Sequence, residues 1–210
     1  VAVIDLDTVE NSNLARCVMF RDGDDGAAKA PLLAERAKEM NPTIETWGFE
    51  GDVRHDVGLG TFMDADVVIG GLDNQEARLA VDERCWKTTT PWVDGAIEGL
   101  MGVMRVFVPP DSACFESTMS REDHVAMAQR RACTLLTRDE LQGGRVPTTA
   151  TSASIIAGMQ VQEAIKLIHA GEPGVEQFGG CGVFYDGMTH DTYTVHYTVR
   201  GDELTRDSYE

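Results

Sequence analysis

Apolar residues recur along this chain in two rhythms, short unbroken runs and longer stripes of helical period. The opening run Val1-Ala2-Val3-Ile4 reads as a strand buried on both faces, the form that parallel strands take. Ala27 to Met40, rich in Ala, Leu, Glu and Lys, predicts an amphipathic helix that Asn41-Pro42 ends. Thr43 to Phe49 reads as a strand. Asp66 to Gly70 reads as a second short buried strand, and Asn74 to Trp86 as the helix after it. Trp92-Val93 and Val103 to Val108 are further strand segments. Asp111 to Gly144 is irregular and polar, with a helix predicted over Arg121 to Cys133. Ser152 to His169 carries the strongest helical pattern, and Ile155, Ile156, Met159, Ile165 and Ile168 are its expected buried stripe. Val183 to Tyr185 and Thr192 to Val199 read as a closing antiparallel pair. Strand and helix alternate in the first half, which favours a parallel sheet there. With the later strands the whole becomes a mixed α/β sheet in one domain over residues 1–210.

Composition narrows the function classes. The chain has 210 residues, 42% of them hydrophobic, which suffices for one α/β domain with a substantial core. Its net charge of −17 argues against a nucleic-acid backbone as main partner, since phosphate binding needs a surplus of Lys and Arg. A local basic site for one nucleotide is compatible with that charge. No apolar run is long enough to cross a bilayer as a helix, so no membrane partner is expected. Five cysteines without a signal segment point to a reducing, cytoplasmic setting. The chain opens inside a strand, without a starting Met, so the natural N-terminus is expected to lie upstream. A leader lost with it would weaken the cytoplasmic reading.

Candidate chemistry gathers at strand ends. Asp5, Asp7, Asn13 and Arg16 follow the first strand. A carboxylate there can meet a ribose hydroxyl, while amide and guanidinium can donate to phosphate. The plainer alternative is a solvated loop. Lys29 stands near the start of the first helix, where helix dipole and ammonium together attract anions; it also reads as a surface lysine. Asp73-Asn74 follows the strand ending at Gly70, so Asp5 and Asp73 should share the carboxyl edge of the parallel sheet, where ligands of open α/β sheets bind. Asp73 can hold Mg²⁺ through oxygen, and both residues are also good helix caps. Arg78, one turn into that helix, reads as a partner for a carboxylate. Cys114-Phe115-Glu116-Ser117 is one sulfur short of a C-x-x-C pair, and with no other such pair a zinc site is not expected. Cys133 follows Arg130 and Arg131, whose charges can stabilise a thiolate; a small packed residue at a helix end is the alternative. Cys17, Cys85 and Cys181 read as packing residues, and the five histidines as structural or surface groups.

Taken in order, several segments resemble the adenylating domain of the ubiquitin-activating superfamily, the ThiF/MoeB-type adenylyltransferases. They are DLDTVENSNLAR at 5–16, GAAK at 26–29, NP at 41–42 and DVVIGGLDNQEAR at 66–78. PWVDGAIEGLMG at 91–102, VFVPPDSACFES at 106–117 and VPTTATSASIIAGMQVQEAIKL at 146–167 complete the set. The resemblance implies a Rossmann-like mixed sheet flanked by helices, with ATP and Mg²⁺ as cofactors. It implies adenylation of the C-terminal glycine of a ubiquitin-like or sulfur-carrier protein, followed by attack of a thiol or sulfur donor on the adenylate. By motif, Asp5 would hold the ribose, with Asp7 beside it. Asn13, Arg16 and Lys29 would hold the phosphates, and Asp73, with Asn74 next to it, would assist Mg²⁺. Cys133 falls in a crossover segment, about 111–145, where a thioester-forming cysteine of the family often lies.

Some features depart from the family pattern. The glycine-rich phosphate loop and the strand before it are missing ahead of Val1. Cys17 stands where Gln often follows the motif Arg, and Ser117 replaces a zinc-binding sulfur. A non-catalytic activating-enzyme-like partner subunit and an NAD-dependent oxidoreductase fragment are the competing readings. A homodimer is expected, both from the resemblance and because Trp92-Val93 and Gly99 to Met104 exceed what one small core is expected to cover.

Overall fold

The structure is a computed structural model, and it describes residues 1–120 and 148–198. Strand β1 (Ala2–Asp5) leads through a 3-10 turn at Asn11–Asn13 to helix α1 (Lys29–Met40) and strand β2 (Trp47–Glu50). Helix α2 (Leu59–Met63), strand β3 (Val68–Gly70) and helix α3 (Gln75–Thr88) follow. Strands β4 (Trp92–Glu98) and β5 (Met101–Phe107) form a hairpin. Helix α4 (Ala150–Ile168) and strands β6 (Cys181–Asp186) and β7 (Thr192–His196) close the fold.

The mixed α/β architecture is as expected, with its strands in two sheets. β1 and β2 pair in parallel, Asp5 opposite Glu50. The second sheet has the order β3-β4-β5-β6-β7; its β3–β4 pair is parallel, Gly70 opposite Asp94, and the other pairs are antiparallel. Helix α1 packs on β1 and β2, and its approach to β2 is close. A Cβ on Gly48 would stand 2.3 Å from the Ala30 carbonyl oxygen, so only glycine fits there.

Trp92 and Val93 show why the β4 segment is apolar without alternation. Successive side chains of a strand leave on opposite faces, and both faces are covered here. Trp92 joins Val57, Phe62, Val81, Cys85, Phe107, Phe115 and Met119 in one core cluster. Val93 joins Met104, Val106 and Leu167 in the other. Helix α4 lies over this second side, packing on β3, β4 and β5.

Several boundaries and faces differ from the sequence reading. The strand expected at Thr43 starts at Trp47, and the one expected to stop at Val93 continues to Glu98. The five-residue α2 is too short to show a helical period, so the pattern gave no signal for it. Helix α4 buries Ser152, Ile156, Gln160, Glu163, Ala164 and Leu167, while Ile165 and Ile168 are about half exposed. The buried stripe is therefore partly polar, which hydropathy alone misassigns. The expected helix over Arg121 to Cys133 lies outside the described residues, as does most of the crossover segment. Trp92 and Val93 are wholly buried and supply no interface, and of the second apolar segment Leu100 and Met101 remain accessible. No described helix is long and apolar enough to cross a membrane.

Candidate active site

The end of β1, the segments after β1 and β3 and the start of α1 carry the polar residues singled out in the sequence. Asp5 ends β1 and accepts a hydrogen bond from the Asp7 amide at 2.9 Å. Asp7 in turn receives the Lys29 ammonium at 3.2 Å and, through its carbonyl oxygen, the Lys29 backbone N–H at 3.0 Å. Lys29 is the first residue of α1, whose N-cap Ala28 offers no side-chain acceptor, so the ammonium stands at the positive end of the helix dipole. Burial pushes the Asp5 carboxyl above the usual carboxylate range. The Asp7 amide and the Lys29 charge pull it back, and the charges of Asp7 and Asp73 push it up. The Asp73 charge is the smallest of these influences on Asp5. Strands β1 and β3 lie in separate sheets, so the single shared sheet edge expected from the sequence is not formed; β1 pairs with β2, and β3 with β4.

Asp73 is exposed, and its carboxylate accepts from the Asn74 amide at 3.0 Å. Asn74 is the N-cap of α3, its side-chain oxygen accepting from the Ala77 N–H at 2.7 Å. The division of labour between the two is thus visible, Asn74 serving the helix while the Asp73 carboxylate stays at the surface. Asn13 is turned inward, 3% exposed, its oxygen accepting the Glu10 N–H at 3.0 Å to close the 3-10 turn. Arg16 lies just beyond, its guanidinium 3.4 Å from the Ser12 carbonyl. Among the described residues no salt bridge engages Arg16 or Asp73. The loop carrying Arg16 is tied back to α1 by the buried Arg36, which bonds the Met19 carbonyl and pairs with Asp24 at 2.6 Å.

Beside these residues an open cavity of about 370 Å³ is lined by Leu6, Glu50, Gly51, Asp52, Arg54 and Asp56. The sequence reading did not single this segment out. Its signal was positional, a polar stretch directly after the predicted strand. Arg54 pairs with Asp52 at 2.5 Å, and its hydrogen bond holds the Asp52 carboxyl below the usual range. The hydrogen bond to Asp52, and the charges of Asp52, Glu76 and Asp73, push the Arg54 guanidinium up.

The cysteines divide. Cys114 Sγ lies 3.2 Å from Ser117 Oγ in a buried turn, and burial pushes the Cys114 thiol up. Burial likewise raises Cys85 and Cys181, with Cys181 Sγ 3.1 Å from His196 Nδ1. Cys133 lies outside the described residues. No group of three or more His, Cys, Asp or Glu side chains is disposed to hold a metal ion among the described residues. A lone Asp73 nevertheless fits Mg²⁺, which uses one or two carboxylates and completes its shell with phosphate and water.

Comparison with known proteins places these observations. The model of the ThiF family matches residues 1–200. The catalytic subunit of the NEDD8-activating enzyme E1 of Saccharomyces cerevisiae is 32% identical over 144 residues, 60% of this chain and 46% of that protein. The adenylyltransferase and sulfurtransferase MOCS3 of Dictyostelium discoideum is 25% identical over 203 residues, 97% of this chain and 44% of that protein. The chain thus spans less than half the length of either relative. Among solved structures, E. coli MccB with ATP superposes with a TM-score of 0.73 at 17% identity, covering 97% of this chain and 58% of that one. That likeness establishes the fold.

Proposed function

The chain belongs to the ThiF family, and from that membership we propose that it adenylates the C-terminal glycine of a ubiquitin-like or sulfur-carrier protein at the expense of ATP. The observation that carries the reading is the grouping of Asp5, Asp7 and Lys29 at the end of β1 and the start of α1, next to an open cavity and within reach of the Asp73 charge. In the reaction a carboxylate oxygen of the carrier attacks the α-phosphorus of ATP, the bond to the β-phosphate oxygen breaks, and pyrophosphate leaves.

Asp5 accepts from a ribose hydroxyl. Lys29, at the first residue of α1, and Arg16 face the phosphates as they gain charge; such preorganised charge is where catalysis of this kind arises. Asn13 supports them by closing the turn that carries Arg16. Asp73 is the carboxylate for Mg²⁺, which when bound neutralises phosphate charge. Asp7 keeps the Lys29 ammonium in place, and Asn74 fixes the start of α3. Cys133, by resemblance of its position in the crossover, is the acceptor of the activated carrier: its thiolate attacks the glycyl carbonyl, the acyl–phosphate C–O bond breaks, and AMP leaves as the thioester forms.

The test is isotope exchange between pyrophosphate and ATP with the full-length protein, Mg²⁺ and a glycine-terminated carrier. Exchange that requires the carrier is the expected result. A folded protein that binds no ATP supports the partner-subunit reading instead. In the same mixture a thiol-sensitive carrier adduct should form, and should vanish in Cys133→Ala. An adduct that survives this substitution removes Cys133 from the mechanism.

We also propose a homodimer. The accessible Leu100 and Met101 and the half-exposed Val161, Ile165 and Ile168 of α4 are apolar surface available to a second copy. Sedimentation at micromolar concentration should give twice the chain mass, and a monomer there would refute it.

A further inference from the structure

Beneath the Asp73 turn lies a charged group that the sequence reading saw in part. Asp94 of β4 is fully buried and sits opposite Gly70, the last residue of β3. One carboxylate oxygen accepts from Arg78 Nε at 3.1 Å, and the other from Arg105 Nη1 at 2.7 Å. Arg78, on the first turns of α3, extends past Asp94 and donates its Nη2 to two carbonyls, those of Leu72 and of Gly95, the latter at 3.3 Å. Both guanidiniums are nearly enclosed, with side chains 11% and 18% exposed.

The Leu72 carbonyl belongs to the peptide plane that joins Leu72 to Asp73, and a peptide plane turns as a unit. Gripping that oxygen therefore sets the direction from which the Asp73 main chain leaves. The grip is needed because Gly70-Gly71 precedes it, and a Cβ on Gly71 would meet nothing within 4 Å. On the far side the Asn74 cap fixes the start of α3. Asp73 is thus held between a cap and a clamp, and the clamp is oriented by Asp94.

We propose that Asp94 is a positioning residue of the nucleotide site, holding Arg78 so that its guanidinium fixes the Leu72–Asp73 peptide and with it the Mg²⁺-binding carboxylate. This rests on the adenylation reading of the same site. Asp94 itself touches neither nucleotide nor metal. Arg105 holds the opposite carboxylate oxygen and stacks over the Phe115 ring, 5.5 Å from its centroid, which keeps Asp94 from following Arg78.

The experiment compares the full-length protein with Asp94→Asn and Arg78→Lys. Arg78→Lys keeps a cation for Asp94 but lacks the fork that reaches the Leu72 carbonyl as well. Three quantities are read: the Kd for ATP with Mg²⁺, the Kd for ATP in EDTA, and amide hydrogen exchange across residues 71–75. Each variant is expected to weaken binding about 10-fold or more with Mg²⁺, as loss of a supporting partner behind a metal ligand does. Binding in EDTA should change little, and exchange of the turn should quicken. A merely structural role would lower the melting temperature and leave the ratio of the two Kd values at its wild-type level, which overturns the proposal. If Asp94→Asn does not fold, Arg78→Lys decides by the same ratio. If the wild-type protein binds no ATP under either condition, the adenylation reading fails and takes this proposal with it. Normal wild-type binding with unchanged ratios in the variants removes only the role of Asp94.

Discussion

Replacement of Asp73 by Ala in the full-length protein is expected to reduce ATP–pyrophosphate exchange about 100-fold or more, the scale on which a preorganised charge acts in a transition state. The fold should survive. Asp73 is exposed, and its carboxylate bonds the Asn74 amide nitrogen, whereas the cap of α3 runs through the Asn74 oxygen to Ala77. Removing the carboxylate leaves that cap standing. The effect should appear in the rate at saturating ATP and should not be recovered by raising the carrier concentration. Asn74→Ala serves as the comparison, since it removes the cap while keeping the charge. Near-normal exchange in a folded Asp73→Ala protein would take this carboxylate out of the mechanism.

The second large effect concerns stability and pH. Asp82 of α3 is 3% exposed and accepts the backbone N–H groups of Phe115, at 2.9 Å, and Glu116, at 3.4 Å. Those donors favour the carboxylate. Burial outweighs them, and the Glu116 charge adds to it, so the group is pushed up to about 7. A carboxyl raised in the folded state binds its proton more tightly there than in the unfolded chain. Its contribution is complete below the ordinary value of 3.8 and is lost as pH rises through 7. Across that window the wild-type protein should lose up to about 4 kcal/mol relative to a neutral isostere. Asp82→Asn should therefore gain on the wild type between pH 4 and 7 and keep a constant lead above. Denaturant unfolding of both proteins at pH 5, 6, 7 and 8 measures this. Parallel curves would show that Asp82 is charged in both states and that the burial cost is met some other way.

Much of the architecture was legible because the segments that specify it are strongly patterned. The run Asp66 to Gly70 followed by Asp73-Asn74 gave strand, turn and helix start together, since an Asn oxygen at a helix entry has one obvious donor to meet. The parallel rule predicts one shared sheet edge for Asp5 and Asp73, but β1 pairs with β2 and β3 with β4 in separate sheets, a split that local pattern does not encode. Other features depend on contacts far apart in the chain. Asp94 reads as a polar interruption in β4, and its role rests on Arg78 and Arg105, 16 residues before and 11 after it. Asp82 looks like any exposed helical acid until Phe115 and Glu116 are folded onto it. The cavity beside Asp52 and Arg54 is made by loop geometry that no hydrophobic period encodes. In α4 the misassigned face came from Gln160 and Glu163, polar side chains that the core accepts because each finds a partner, Gln160 on backbone carbonyls and Glu163 on Lys166.

The Gln160 amide has a bearing on how the chain reaches this state. It donates to the Gly70 carbonyl at 2.6 Å and to the Val93 carbonyl at 3.1 Å, across separations of 90 and 67 residues. The β4–β5 hairpin can close locally as soon as Phe107 is made. Its Val93–Met104–Val106 side stays bare until Leu167 and the rest of α4 arrive. During synthesis at about 5–20 residues per second, that apolar face waits uncovered for several seconds. Closing so long a loop also carries an entropic cost that only the finished helix–sheet contact offsets. Docking of α4 is then a late step, followed by the pairing of β6 on β5 and of β7 on β6, and a chain cut before Ala150 should expose the Val93 face and aggregate.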